Sequence, residues 1–128
     1  MVNGLPEDVH RFLIRHIDSV EELEVLLHAR QSPGRSWSAT DMARELYSHP
    51  TSIEQRFQRL LGAGLLRESG AGHFQYAPRS AELDRVVAAV ADTYRERRVA
   101  VVSLIASKPI ENVRAFSDAF RLRKRKEE

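Results

Sequence analysis

The chain contains no cysteine. That absence excludes a disulfide framework, a thiolate metal centre and a cysteine nucleophile. No apolar run is long enough to cross a bilayer, so no membrane association is expected. Aromatic residues make up only 7% of the chain, and charge of one sign is scarce, with 20 Lys+Arg against 18 Asp+Glu for a formal net charge of +2. Even that small excess is local. The segment 121–128 holds five cations and two carboxylates, which leaves fifteen cations against sixteen carboxylates in the residues before it. Met1 to Asp8 shows neither a basic leader nor an apolar stretch of signal-peptide type, so a cytoplasmic location is expected. What is present is ordinary for a folded protein: 42% hydrophobic residues in 128, enough for one domain.

Periodicity places the elements. Pro6 to Ile17 has helical spacing, with Glu7 and Asp8 at the positive end of the dipole and Val9, Phe12, Leu13 and Ile17 on one face. Ser19 followed by Glu22 reads as a capping box opening a second helix, with Val20, Leu23, Leu26 and Leu27 inside. Ser32-Pro33-Gly34 breaks it, and Arg35 to Ser38 has room for one short strand anchored by Trp37. Ser38 and Asp41 resemble a further cap, before a helix with Met42, Ala43 and Leu46 inward. After the turn Tyr47-Ser48-His49-Pro50, a helix is expected from Pro50 to Ala63, with Ile53, Phe57, Leu60 and Leu61 buried and Gly64 ending it in a left-handed conformation. Leu65 to Glu68 and His73 to Tyr76 flank Ser69-Gly70-Ala71-Gly72, a hairpin signal. From Ser80 the spacing of Leu83, Val87, Val90, Tyr94, Val101 and Ile105 predicts one helix to Ser107, interrupted in its stripe by Arg97 and Arg98. Such a helix is roughly 40 Å long, more than one small core needs, so it is expected to join two copies as a homodimer. Lys108-Pro109 stops it, and a last helix carries Ile110, Val113, Phe116 and Phe120 on one side.

The stretches Ser38 to Leu46, His49 to Leu60 and Ala63 to Leu66 carry a resemblance. In that order, with a hairpin to follow, they resemble the winged helix-turn-helix of bacterial transcription regulators, nearest in style to the MarR, PadR and ArsR families. The expected fold is mainly α with a small β-hairpin: residues 1–18 an N-terminal helical extension, 19–78 the winged helix-turn-helix, 79–121 C-terminal helices for dimerisation, and 122–128 a basic, disordered tail. The resemblance implies that the face opposite Ile53, Phe57 and Leu60 enters the major groove of double-stranded DNA. On that face Gln55 and Gln58 suit adenine, Arg59 suits guanine or phosphate, and Thr51 and Ser52 suit phosphate or base edges. Arg44 on the preceding helix is expected at the DNA backbone, and Arg67 and His73 let the wing touch a phosphate or the minor groove. Arg56 competes as a local salt-bridge partner.

Some residues depart from this pattern. The wing tip has no cation, Glu54 lies near the reading face, and residues 39–79 hold five arginines against four carboxylates. Affinity for DNA scales with the phosphates neutralised, so a single copy is expected to bind weakly. Two other readings follow: a protein-interaction module that uses the same face, and a regulator that takes a small molecule in an apolar groove beside the long helix. The histidines His10, His16, His28, His49 and His73 show no metal-ligand spacing, and no nucleophile elbow or phosphate loop occurs. Gly62-Ala63-Gly64 follows a helix instead of a strand and lacks the third glycine of a dinucleotide fingerprint. No cofactor, metal or enzymatic activity is expected.

Overall fold

Most helices begin where the sequence offers a way to satisfy free backbone N–H groups or the dipole. In the computed structural model, which describes residues 1–108, α1 spans Glu7–His16, with Glu7 and Asp8 in its first turn and Arg15 and His16 in its last. Ser19 caps α2 (Val20–Gln31) by accepting from the Glu22 N–H at 3.0 Å. The Glu22 carboxylate reaches back one residue further than in a standard capping box, to the N–H of Asp18 at 2.9 Å. Ser38 caps α3 (Ala39–Leu46), Pro50 opens α4 (Pro50–Gly62), and Ser80 caps α5 (Ala81–Glu96). A further helical stretch covers residues 98–108.

The described residues also form three short strands: β1 (Trp37–Ser38), β2 (Leu66–Gly70) and β3 (His73–Tyr76). They form an antiparallel sheet in the order β1-β3-β2, with Trp37 opposite Phe74 and Leu66 opposite Tyr76. The protein is therefore mainly helical with a small antiparallel sheet. The hairpin is longer than its sequence suggested. An irregularity between Glu68 and Gly70 carries β2 past Ser69, whose hydroxyl bonds Ser36, so the turn narrows to Ala71-Gly72 with Gly72 at φ 71°.

The chain leaves α4 through Gly64, at φ 76°. Leu65 N–H bonds the Leu60 carbonyl at 3.0 Å and Gly64 N–H bonds the Leu61 carbonyl at 3.1 Å, the paired bonds of a Schellman end. Phe57 on α4 lies 4.9 Å from Phe74 on β3, ring centre to ring centre, and both are fully buried. That contact fixes the hairpin to the helix it follows.

The expected single helix over 80–107 is two helices. α5 ends at Arg97, whose backbone leaves helical geometry at φ −132°, and the Arg97 carbonyl accepts from Val101 N–H to begin the next. The Arg97 guanidinium bonds the carbonyl of Gly4, ahead of α1, and the Lys108 ammonium bonds the carbonyls of Leu13 and Ile17 at the other end of α1. The bend thus lays 98–108 along α1 and buries Val101, Leu104 and Ile105 in the same cluster as Val87, Val90 and Tyr94. The apolar stripe that suggested a partner is covered by the chain itself. Among the described residues of 81–108, Val99 is the one large apolar side chain left exposed. The expected helix from Pro109 and the basic tail 122–128 lie outside the described residues. No described helix is long and apolar enough to cross a membrane.

Candidate nucleic-acid interface

α3 and α4 pack against each other and, through α4, against α2 and β2. Burial of Ile53, Phe57 and Leu60 turns one side of α4 inward, which leaves Thr51, Gln55 and Gln58 exposed in a row, as their spacing predicted. The Gln58 amide donates to Glu54 at 3.1 Å, one turn earlier. This pairing gives Glu54 a partner and takes up one N–H of the Gln58 amide. Arg44 is well exposed on α3, with its own Asp41 at 3.8 Å.

The other two expected readers on this helix face α2. Ser52 donates to the Glu21 carboxylate, which also accepts from Ser48 at 2.6 Å and from Arg56 Nε at 3.2 Å. Burial alone would raise the Glu21 pKa, but these three donors outweigh it and hold the carboxyl below its usual range. Arg59 is bound twice, by Asp18 at 2.7 Å and by Glu22 at 3.0 Å. Glu22 has no exposed surface, so Arg59 supplies the charge that makes its burial tolerable. Asp18 carries its second oxygen to the buried ammonium of Lys108, at 3.1 Å. Both α4 arginines are therefore tied to the acidic start of α2. These pairs join residues 35 to 41 positions apart, so only the packing of α2 on α4 brings them together. As a capping residue alone, Glu22 points to no partner on α4.

On the hairpin, Arg67 donates to the Gln75 side chain at 2.8 Å, and Gln75 in turn donates to the Pro33 carbonyl at 3.0 Å. His73 is exposed, with its Nδ1 3.0 Å from the carbonyl of Ala71. Arg67 and His73 thus stand on one ribbon beside α4, held by local contacts that leave them at the surface.

One residue that the sequence offered only as part of a turn is conspicuous. Tyr47 joins α3 to α4 with 98% of its surface exposed and φ at 54°. An aromatic where a turn favours glycine or asparagine is the signal that locates it.

The groove between α2 and α5 is a cleft of about 570 Å³, and it is charged where an apolar lining was expected. Glu24 accepts from the Tyr94 hydroxyl at 3.1 Å and pairs with Arg98 at 3.6 Å, while Arg98 stacks over the Tyr94 ring. Burial, with Glu24 adding to it, raises the Tyr94 pKa. Among the described residues, no group of three or more His, Asp or Glu side chains is placed to hold a metal ion.

No protein-family model matches this chain, and no curated protein matches it in sequence.

Proposed function

We propose that the chain is a winged helix-turn-helix protein that binds double-stranded DNA in the bacterial cytoplasm as a transcriptional regulator, with α4 presented to the major groove and the β2–β3 hairpin beside it. The order of elements supports this reading: helix, short strand, helix, turn, helix, hairpin, with the hairpin fixed on α4 by Phe57 and Phe74. The observation that carries it is the exposed face of α4, where Thr51, Gln55 and Gln58 offer a hydroxyl and two amides on a helix that follows a tight turn. Glutamine amides suit the paired donor and acceptor of adenine in the major groove. Arg44, Arg67 and His73 flank that face and suit phosphate. In this account Ser52, Arg56 and Arg59 position α4 against α2 instead of reading bases. A face with so few free cations argues for two copies acting together on DNA, which sedimentation equilibrium tests.

Selection of bound duplexes from a random library by the full chain tests the reading. Enrichment of one sequence by the wild type, lost in the Gln55→Ala/Gln58→Ala variant while the fold persists, supports it. No enrichment at low salt overturns it. A second reading, an interaction module for another protein, is favoured by one observation: both α4 arginines are neutralised by α2 carboxylates. A face that binds a protein needs no free cations.

A further inference from the structure

Tyr47 combines two properties that folding alone does not explain. Its backbone is left-handed, φ 54° and ψ 46°, a region that penalises any residue with a Cβ. Its side chain returns nothing to the fold, since 98% of the residue is exposed. Glycine or asparagine would hold the same turn with less strain. A bulky ring kept at such a position points to a use outside the fold.

The turn also holds the ring's root firmly. Tyr47 N–H and Ser48 N–H both donate to the Ala43 carbonyl, the latter at 2.9 Å, and Ser48 Oγ is bound to Glu21. The nearest exposed side chains along the chain are Arg44 and Glu45 on one side and His49, Pro50 and Thr51 on the other. Glu45 is within reach of His28 at 3.8 Å and Arg35 at 3.9 Å, so its charge is partly answered. The chain on either side of Tyr47 thus offers donors to solvent: the guanidinium of Arg44, well exposed beside Asp41 at 3.8 Å, the imidazole of His49 and the hydroxyl of Thr51. Donors of this kind complement a polyanionic backbone.

We propose that Tyr47 is a sequence-independent contact to the DNA backbone, with its phenol donating to a phosphodiester oxygen and its ring packing on the adjacent sugar. This rests on the DNA-binding reading above and assigns that site a further residue. A protein partner for the ring is an outcome of the test and no part of the proposal.

Three variants of the full chain, Tyr47→Ala, Tyr47→Gly and Tyr47→Phe, are compared for melting temperature and for binding to a random-sequence duplex by fluorescence anisotropy over a salt series. Alanine keeps the backbone penalty, so its melting temperature stays at the wild-type value while affinity falls about tenfold on every sequence. Glycine relieves the penalty, so melting rises by roughly 3 °C with the same loss of affinity. Phenylalanine keeps the ring and falls between. Because Tyr47 is uncharged, the salt slope of its variants matches the wild type, whereas Arg44→Ala lowers the slope by about one. Equal binding by wild type and all three variants overturns the Tyr47 assignment and leaves the DNA reading standing, and the ring then belongs to another kind of partner. No binding by the wild type at low salt overturns both. A glycine variant that melts below the wild type overturns the claim that the ring is idle in the fold.

Discussion

The Nε of Arg59 lies 3.0 Å from Oε1 of Glu22, a carboxylate with no exposed surface. The pair joins the outer helix α4 to the acidic start of α2, and Asp18 extends it to Lys108. Removing one partner of such a pair leaves a buried charge without compensation. Arg59→Ala is expected to cost about 2–3 kcal/mol of stability, less than a fully buried pair because the guanidinium is partly exposed. Glu22→Gln in the same chain should restore part of that loss. Urea unfolding of the two single variants and the double variant gives the coupling energy, and additive losses would contradict the pairing.

Glu21 gives the pH dependence. Its folded pKa lies below the usual value, so it contributes stability above the usual carboxylate range. That contribution is lost as pH falls through and below that range. Between about pH 6 and pH 3, the wild type should therefore lose more stability than Glu21→Gln does. Urea midpoints measured across that interval check the difference, and parallel curves would show that Ser48, Ser52 and Arg56 do not hold the charged form.

Gly64 offers a test of the link between α4 and the hairpin. A Cβ there meets positive φ and stands 2.7 Å from Nε of Arg79. Gly64→Ala should cost about 1–2 kcal/mol, seen as a drop in melting temperature of roughly 5 °C. Adding Arg79→Ala should remove the clash but not the backbone penalty, so recovery should be partial. Full recovery would assign the whole cost to the clash.

Lys108 is buried, with its ammonium on two carbonyls at the end of α1 and on Asp18. Lys108→Met keeps the stem and removes the donors, and is expected to cost about 1–3 kcal/mol by taking the ammonium from the Ile17 carbonyl and from Asp18, while the Leu13 carbonyl keeps the Ile17 N–H. Hydrogen exchange should show the last turn of α1 opening more readily, and unchanged protection there would contradict the cap.

The elements were legible because local rules and the buried pattern agree. Ser19, Ser38 and Ser80 each cap the helix they precede, Gly64 ends α4, and Trp37 anchors a two-residue strand. What stayed hidden depends on contacts between distant segments. The break at Arg97 follows from bonds to Gly4 and α1 that periodicity cannot express, although Arg97 and Arg98 already interrupted the apolar stripe. Likewise Ser52 and Arg59 carry good DNA-binding chemistry. Only the position of α2 shows that their donors are spent on Glu21, Glu22 and Asp18. Thr51, Gln55 and Gln58 were placed correctly at the surface because helical spacing alone decides which side of α4 faces out.

On the proposed reading, the face bearing these three residues meets DNA. Its most direct test is a titration of the isotope-labelled chain with a random-sequence duplex at low salt, followed by amide resonance shifts. Shifts should concentrate on Tyr47 to Gln58 and on the hairpin around Arg67 and His73, and raising the salt should reverse them. Shifts that fall on α1 and α5, or none at all, would contradict it.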